Sequence, residues 1–253
     1  MKILLEEIME LAILSGEVLL KNGAETYRVE ETMAHVAKAC GAAKVESFVI
    51  PTGVFLTVND DSGRSITTMR RVKNRTINLD RIAKVNELSR RLVDRRIDRK
   101  DAYGILKHIA RERTGFSLAP SMIAAGFVGG GTAVLQNAGV YETLGAFAAA
   151  ASVRYLAHIV SRLHGVQFTF EFLGGMVAAL VGVILHDMLP AIGRDAVIIG
   201  GIMPLVPGVA ITNAIRDVIA GDLLSGLSRG LEAALTSVAV AMGVVIVLAT
   251  HSW

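Results

Sequence analysis

Cysteine occurs once, at Cys40, so no disulfide can close within the chain and no CxxC metal or redox pair exists. The phosphate-cradling GxxxxGK[ST] loop, the HExxH zinc helix and the GxSxG nucleophile elbow are all missing. Gly129, Gly130 and Gly131 follow no strand-like run and make no dinucleotide loop, and the six histidines are scattered. No enzyme, cofactor or metal site is expected. The first twenty residues carry Glu6, Glu7, Glu10 and Glu17, which argues against a secretory signal. Charge is the most unevenly missing commodity. The 138 residues after Gly115 hold only 5 of the 26 Lys and Arg and 7 of the 23 Asp and Glu. That deficit predicts a charged soluble α+β module over residues 1–115, followed by an all-α membrane bundle over 116–253.

Within the charged part, Leu4, Ile8, Leu11, Ser15 and Val18 recur at helical spacing, and Asn22 and Gly23 supply a stop. A second helix runs from about Glu25 to Ala39, with Val29, Met33, Val36 and Ala37 inward. Val45 to Asp60 is β-branched and aromatic and is broken by Pro51 and Gly53, so it reads as two strands. After the turn at Asp60 to Gly63 comes a third strand, Arg64 to Val72, with Ile66, Thr68 and Arg70 on one face. Asn78 caps a helix to about Asp94, and Asp98 starts another. Ser15, Glu17, Glu25, Glu30 and Glu31 could suggest a hydrolytic cluster, but a charged amphipathic face explains them more simply. The basic runs at Arg70 to Arg75 and Arg90 to Arg96 read as solvated or lipid-facing surface, with no nucleic-acid partner expected.

Five apolar spans follow, at about 116–136, 143–163, 168–185, 197–219 and 223–249, each near the ~20 residues that cross a hydrocarbon core. With the basic module inside, Arg162, Arg216 and Arg229 fall inside and Arg194 outside. This predicts a multi-pass inner-membrane protein with a cytoplasmic N-terminal domain and an external C-terminus, where Trp253 would anchor the interface. Small residues recur every four positions at Gly126/Gly130, Gly174/Ala178/Gly182 and Gly226/Gly230/Ala234, a spacing that lets helix backbones approach in lipid. Glu142, Asp187 and Asp195 fall at outer ends and read as solvated.

The stretch from Gly200 to Asp222 is apolar enough to span yet carries Pro204, Pro207 and Gly208, then Thr212, Asn213, Arg216 and Asp217. Proline removes a helical donor and clashes with the preceding turn, so the helix should open between Met203 and Gly208. Irregular backbone at membrane depth survives where it lines a cavity, and broken helices mark transporter binding sites. Arg154, near the middle of the second span, is costly there unless it meets a partner or a substrate anion. Asp217 and Glu171 are candidate structural partners for it. The expected substrate-binding set is Arg154, Pro204, Pro207, Gly208, Thr212, Asn213, Arg216 and Asp217. In it a substrate carboxylate lies near the Gly208 amide and Arg154, Asn213 orients it, and Asp217 or the carbonyls of Ile202 and Met203 receive an ammonium group or a proton.

Three stretches carry a resemblance: Asn22 to Met33 (NGAETYRVEETM), Thr68 to Leu88, and Pro204 to Asp222 (PLVPGVAITNAIRDVIAGD). They resemble the threonine/serine exporter family in its N-terminal module, over nearly the whole chain. The resemblance implies a secondary, proton-coupled exporter of a small polar metabolite, with threonine or serine the first expectation. It also implies a partner, a small five-helix subunit supplying the other half of a ten-span transporter. Relatives of the two-subunit kind export dicarboxylates such as succinate, which is the alternative substrate. Arg154 and Arg216 together would suit a dicarboxylate, whereas Asp217 suits an amino acid. A membrane-anchored binding protein whose soluble module does the work is the competing class.

Overall fold

The computed structural model describes residues 2–73, 75–112, 115–160 and 168–251, with side chains from Leu5 onward. The side chain of Leu4, and Arg162 and Trp253, for which positions were expected, lie outside the described residues. By contact the chain divides into two units, one of Met1–Arg113 with Val209–Gly230, the other of Thr114–Gly208 with Leu231–Trp253. Residues 209–230 thus group by contact with the N-terminal residues.

In the first unit, helix α1 (Lys2–Lys21) ends where Gly23 takes a φ of +92°, a left-handed turn that returns the Ala24 amide to the Leu19 carbonyl. Helix α2 (Thr26–Ala39) follows, then strands β1 (Lys44–Ile50), β2 (Gly53–Asn59) and β3 (Ser65–Arg71) in a three-stranded antiparallel sheet of that order. Phe48 stands opposite Phe55, and Phe55 opposite Met69. Ile66, Thr68 and Arg70 share the less exposed face of β3, as the alternation implied. Helices α3 (Leu79–Val93) and α4 (Arg99–Arg111) begin where the caps were expected. Asn78 accepts from the Arg81 amide and Asp98 from the Asp101 amide.

One apolar core joins these elements through Ile8 and Leu11 of α1, Val29 and Met33 of α2, Val54 and Leu56 of β2, Leu88 of α3 and Leu106 of α4. The acidic residues of the supposed cluster are dispersed among separate structural contacts. Ser15 donates to the Ala12 carbonyl, Glu17 and Glu10 both hold Arg70, and Glu30 accepts from the Val49 amide.

In the second unit, α5 (Leu118–Leu135), α6 (Val140–Val160) and α7 (Thr169–Met188) are long and apolar enough to cross a membrane, as is α10 (Leu223–His251), whose later part belongs here. The expected fourth span is not one helix. It is α8 (Arg194–Ile202), a 3-10 turn (Met203–Leu205) and α9 (Gly208–Ile219), so the spans number four, or five if the broken pair counts as one. Nine residues of α8 rise about 14 Å, too short for a core of about 30 Å.

Small residues set the helix crossings. A Cβ at Gly129 would lie 2.6 Å from the Ala146 carbonyl oxygen, and one at Gly200 would lie 2.7 Å from the Gly129 carbonyl oxygen, so α5, α6 and α8 meet backbone to backbone. Gly175 and Gly243 do the same for α7 and α10, against the carbonyls of Val240 and Phe172. At one end of the helices Glu142 accepts from the Gly193 amide at 3.1 Å, and Asp187 pairs with His251 at 2.9 Å. Two of the three acidic residues expected to be simply solvated are thus partnered. Asp195, 85% exposed, lies 3.9 Å from Arg194.

Candidate functional site

The break forms where the sequence placed it. Pro204 lies in the 3-10 turn, the Val206 amide reaches back to the Met203 carbonyl at 3.2 Å, and the Gly208 amide donates to the Val206 carbonyl at 2.8 Å across Pro207. Two groups expected to meet substrate are therefore engaged locally. The Gly208 amide and the Met203 carbonyl satisfy the backbone that the prolines disrupt. Leu205 at the end of the turn is buried against Val153 of α6, Ala178 of α7 and Val240 of α10. It also covers Gly174, where a Cβ would come within 2.7 Å of it. The turn consequently sits inside the helix packing at the level of Val153, the residue before Arg154.

Arg154 is half-buried. Helix α6 begins three residues earlier than expected, and Arg154 stands fourteen residues after its start and six before its last described residue. Among the described residues it has no hydrogen-bond or ion-pair partner. Glu171 does not pair with it, and Asp217 is committed elsewhere.

Helix α9 shows two opposite characters. Thr212 is exposed and Arg216 points outward, while Asn213 and Asp217, four residues apart on one face, are buried at 6% and 0% exposure. Asn213 donates its side-chain amide to the Gly23 carbonyl at 2.9 Å. Asp217 accepts from the Thr26 amide at 3.0 Å and the Thr26 hydroxyl at 3.2 Å, and it pairs with Arg229 Nε at 3.0 Å. Glu25, the residue before α2, makes no side-chain cap of its own. A carboxylate supplied from 191 positions away thus caps the α2 amino end, where free amides and the helix dipole favour an anion.

The exchange is reciprocal, because Arg216 Nη1 donates to Glu25 at 2.6 Å. Burial pushes the Glu25 carboxyl up. A backbone hydrogen bond, the Arg216 hydrogen bond and the charges of Arg28 and Arg216 outweigh it, leaving the group below the usual carboxylate range. Arg229 also donates to the Ala24 carbonyl at 2.8 Å, and Ser225 approaches the Val49 carbonyl at 3.4 Å. The hairpin of α9 and early α10 is in this way stapled to the α1–α2 turn.

These contacts change the picture of the site. Asn213, Arg216 and Asp217 are brought together with Gly23, Glu25, Thr26 and Arg229, none of which was among the expected binding residues. The signal that could have found them was present: two of the three family-like stretches, Asn22 to Met33 and Pro204 to Asp222, are the two that touch.

The family model described as "Putative threonine/serine exporter" matches residues 10–251. The chain belongs to the threonine/serine exporter family. Among curated relatives, this family member is 27% identical to the "Probable succinate transporter subunit YjjP" of Escherichia coli (strain K12) and 26% identical to the protein of that name from Klebsiella aerogenes. Both alignments cover 95% of this chain and 93% of the relative. The "Probable threonine/serine exporter" of Mycobacterium tuberculosis is 24% identical over 96% of this chain but only 46% of its own length. No solved structure matches. A transporter family and four to five apolar helices make this exporter-family protein a multi-pass membrane protein.

Proposed function

We propose that this chain is an inner-membrane subunit of a secondary exporter that moves a small carboxylate-bearing metabolite outward, with the substrate carboxylate held by Arg154 beside the Pro204 to Gly208 break. The observation that carries the reading is the burial of Leu205 against Val153. It brings a proline-opened turn to the level of a half-buried arginine that has no protein partner among the described residues. A cation kept in an apolar helix bundle without a counter-ion is costly unless an anion visits it. The basic first unit lies on the cytoplasmic side and the end bearing Asp187 and Asp195 outside, in keeping with the positive-inside rule. A second, smaller five-helix subunit completes the transporter, and the word "subunit" in the names of the equal-length relatives supports this.

Threonine or serine remains the substrate reading that the family description favours. Succinate is favoured by a specific observation, that relatives matched over 93% of their length carry that name. The carboxylate at Arg154 is common to both. Asp217 as an ammonium site and Arg216 as a second cation are both weakened by their engagement with Thr26, Arg229 and Glu25.

Efflux from cells loaded with labelled succinate or threonine tests the proposal, with this chain expressed alone and beside a five-helix partner subunit. Efflux of one acid that needs the partner and is lost in Arg154→Gln, with membrane abundance unchanged, is the expected result. Undiminished efflux by Arg154→Gln would remove the arginine from the mechanism. No efflux of either acid from a stable complex would favour the binding-protein reading.

A further inference from the structure

Helices α2 and α3 pack through Val29, Met33 and Val36 against Val85, Leu88 and Leu92. Beside this apolar seam each helix turns a polar stripe to the other. Arg28, Glu31, Thr32 and His35 of α2, at spacings of three and four, face Asn86, Ser89 and Arg90 of α3 across a groove of about 180 Å³. Its floor is two hydroxyl residues, Thr32 and Ser89, each only 8% exposed.

Other helical hydroxyls bond back to their own helix, as Ser15 does to Ala12, Thr132 to Val128, Ser152 to Ala148 and Ser228 to Leu224, or across to another element, as Thr26 does to Asp217 and Ser225 to Val49. Thr32 and Ser89 do not: among the described residues neither makes a hydrogen bond. Neither hydroxyl oxygen is sealed from solvent, so both are open to a group that enters the groove.

The charges around the floor say what that is. Arg28 lies 3.7 Å from Glu25 and Arg90 3.1 Å from Glu87. A guanidinium has five N–H donors in a planar fork, so each keeps donors for the groove between them. Two hydroxyls below two guanidinium groups fit a carboxylate, which accepts up to four hydrogen bonds and pairs bidentately with arginine. Asn86 and the Glu31 carboxylate provide for a second polar group on the same molecule. We infer that the α2–α3 groove is a binding site for a small carboxylate metabolite, with Arg28, Arg90, Thr32 and Ser89 holding the carboxylate. This inference does not rest on the transport reading, since none of these residues belongs to the break or to α6.

The purified full-length chain tests it through a thiol placed at the groove rim, His35→Cys in a Cys40→Ser background, whose maleimide modification is slowed by anything that fills the groove. The probes are L-threonine, succinate and inorganic phosphate. Protection at millimolar concentration by threonine or succinate, weakened about tenfold by Ser89→Ala and by Arg28→Gln, is the expected result, as for loss of one hydrogen bond to a charged group. Protection by threonine would assign the second group as an ammonium facing Glu31, and protection by succinate alone would assign it as a second carboxylate. Absence of protection by both acids, equal protection by phosphate, or protection indifferent to Ser89→Ala and Arg28→Gln would overturn the assignment.

Discussion

Asp217 has no exposed surface, and its carboxylate meets Thr26 and Arg229, the latter itself only 7% exposed. Removing one member of such a pair strands a buried charge, so Asp217→Ala is expected to cost about 3–5 kcal/mol. The expected readout is a lower melting temperature of the purified protein and less chain in the membrane. Asp217→Leu combined with Arg229→Met should restore much of the loss, because no charge is then left buried alone.

Two carboxyls at the same joint respond to pH in opposite senses. The Glu25 carboxyl is lowered, so its contribution to stability is present above the ordinary carboxylate value and fades as pH falls through the lowered one. Burial raises Glu30; the Val49 hydrogen bond opposes this and the Asp222 charge adds to it. Its contribution is therefore present below the ordinary value and is lost as pH rises through the raised one. Glu30→Gln keeps an acceptor for the Val49 amide and removes the charge facing Asp222. Melting measured from the acid side to neutrality should show the variant's profile flatter than the parent's, with equal or higher stability at neutral pH.

At the scale of elements, the broken helix divides its labour between two units. The turn at Met203–Leu205 packs among α6, α7 and α10, while Asn213 and Asp217 fasten α9 to the α1–α2 turn. Pro207→Ala should restore helical continuity and reduce transport without lowering abundance. Asn213→Ala should lower stability as well, since the Gly23 carbonyl loses its donor. Efflux normalised to membrane abundance separates the two.

The glycines of the bundle give a paired test. At Gly243 a Cβ would collide with the Phe172 backbone, so Gly243→Ala must push α10 off α7, at about 1–3 kcal/mol. At Gly131 a Cβ meets nothing within 4 Å, and Gly131→Ala should be neutral or stabilising, since alanine is the better helix former. Yield of folded protein after detergent extraction reads both, and equal loss at the two positions would refute the crossing geometry.

For the whole molecule, the basic first unit and the Asp187 to Asp195 end are expected on opposite sides of the membrane. Single thiols at Glu46 and Asp195, in a Cys40→Ser background, should label differently in intact cells, Asp195→Cys at once and Glu46→Cys only after permeabilisation. Both side chains are well exposed, at 65% and 85%, so a failure to label reports the membrane and not burial. Labelling of both from the same side would mean an even number of crossings.

What the chain's sequence determined by itself was whatever depends on near neighbours. Helical spacing, the caps at Asn78 and Asp98, the strand break at Pro51 and Gly53, the apolar runs and the proline break at Pro204 and Pro207 are local effects of backbone sterics and hydropathy. The caps, the strand break and the proline break appear where the spacing put them, while the apolar helices differ from the expected spans by a few residues at their ends. Only the tertiary structure decided the partners of the charges. Asp217 sits 191 residues from Thr26 and Arg216 191 from Glu25, and spacing along a helix carries no information about a contact at that separation. Asp217, one of the polar residues along α9, caps another helix, because a carboxylate at a free helix amino end is stabilised wherever in the sequence it comes from. Arg154 differs in that the fold brings no counter-charge to it among the described residues.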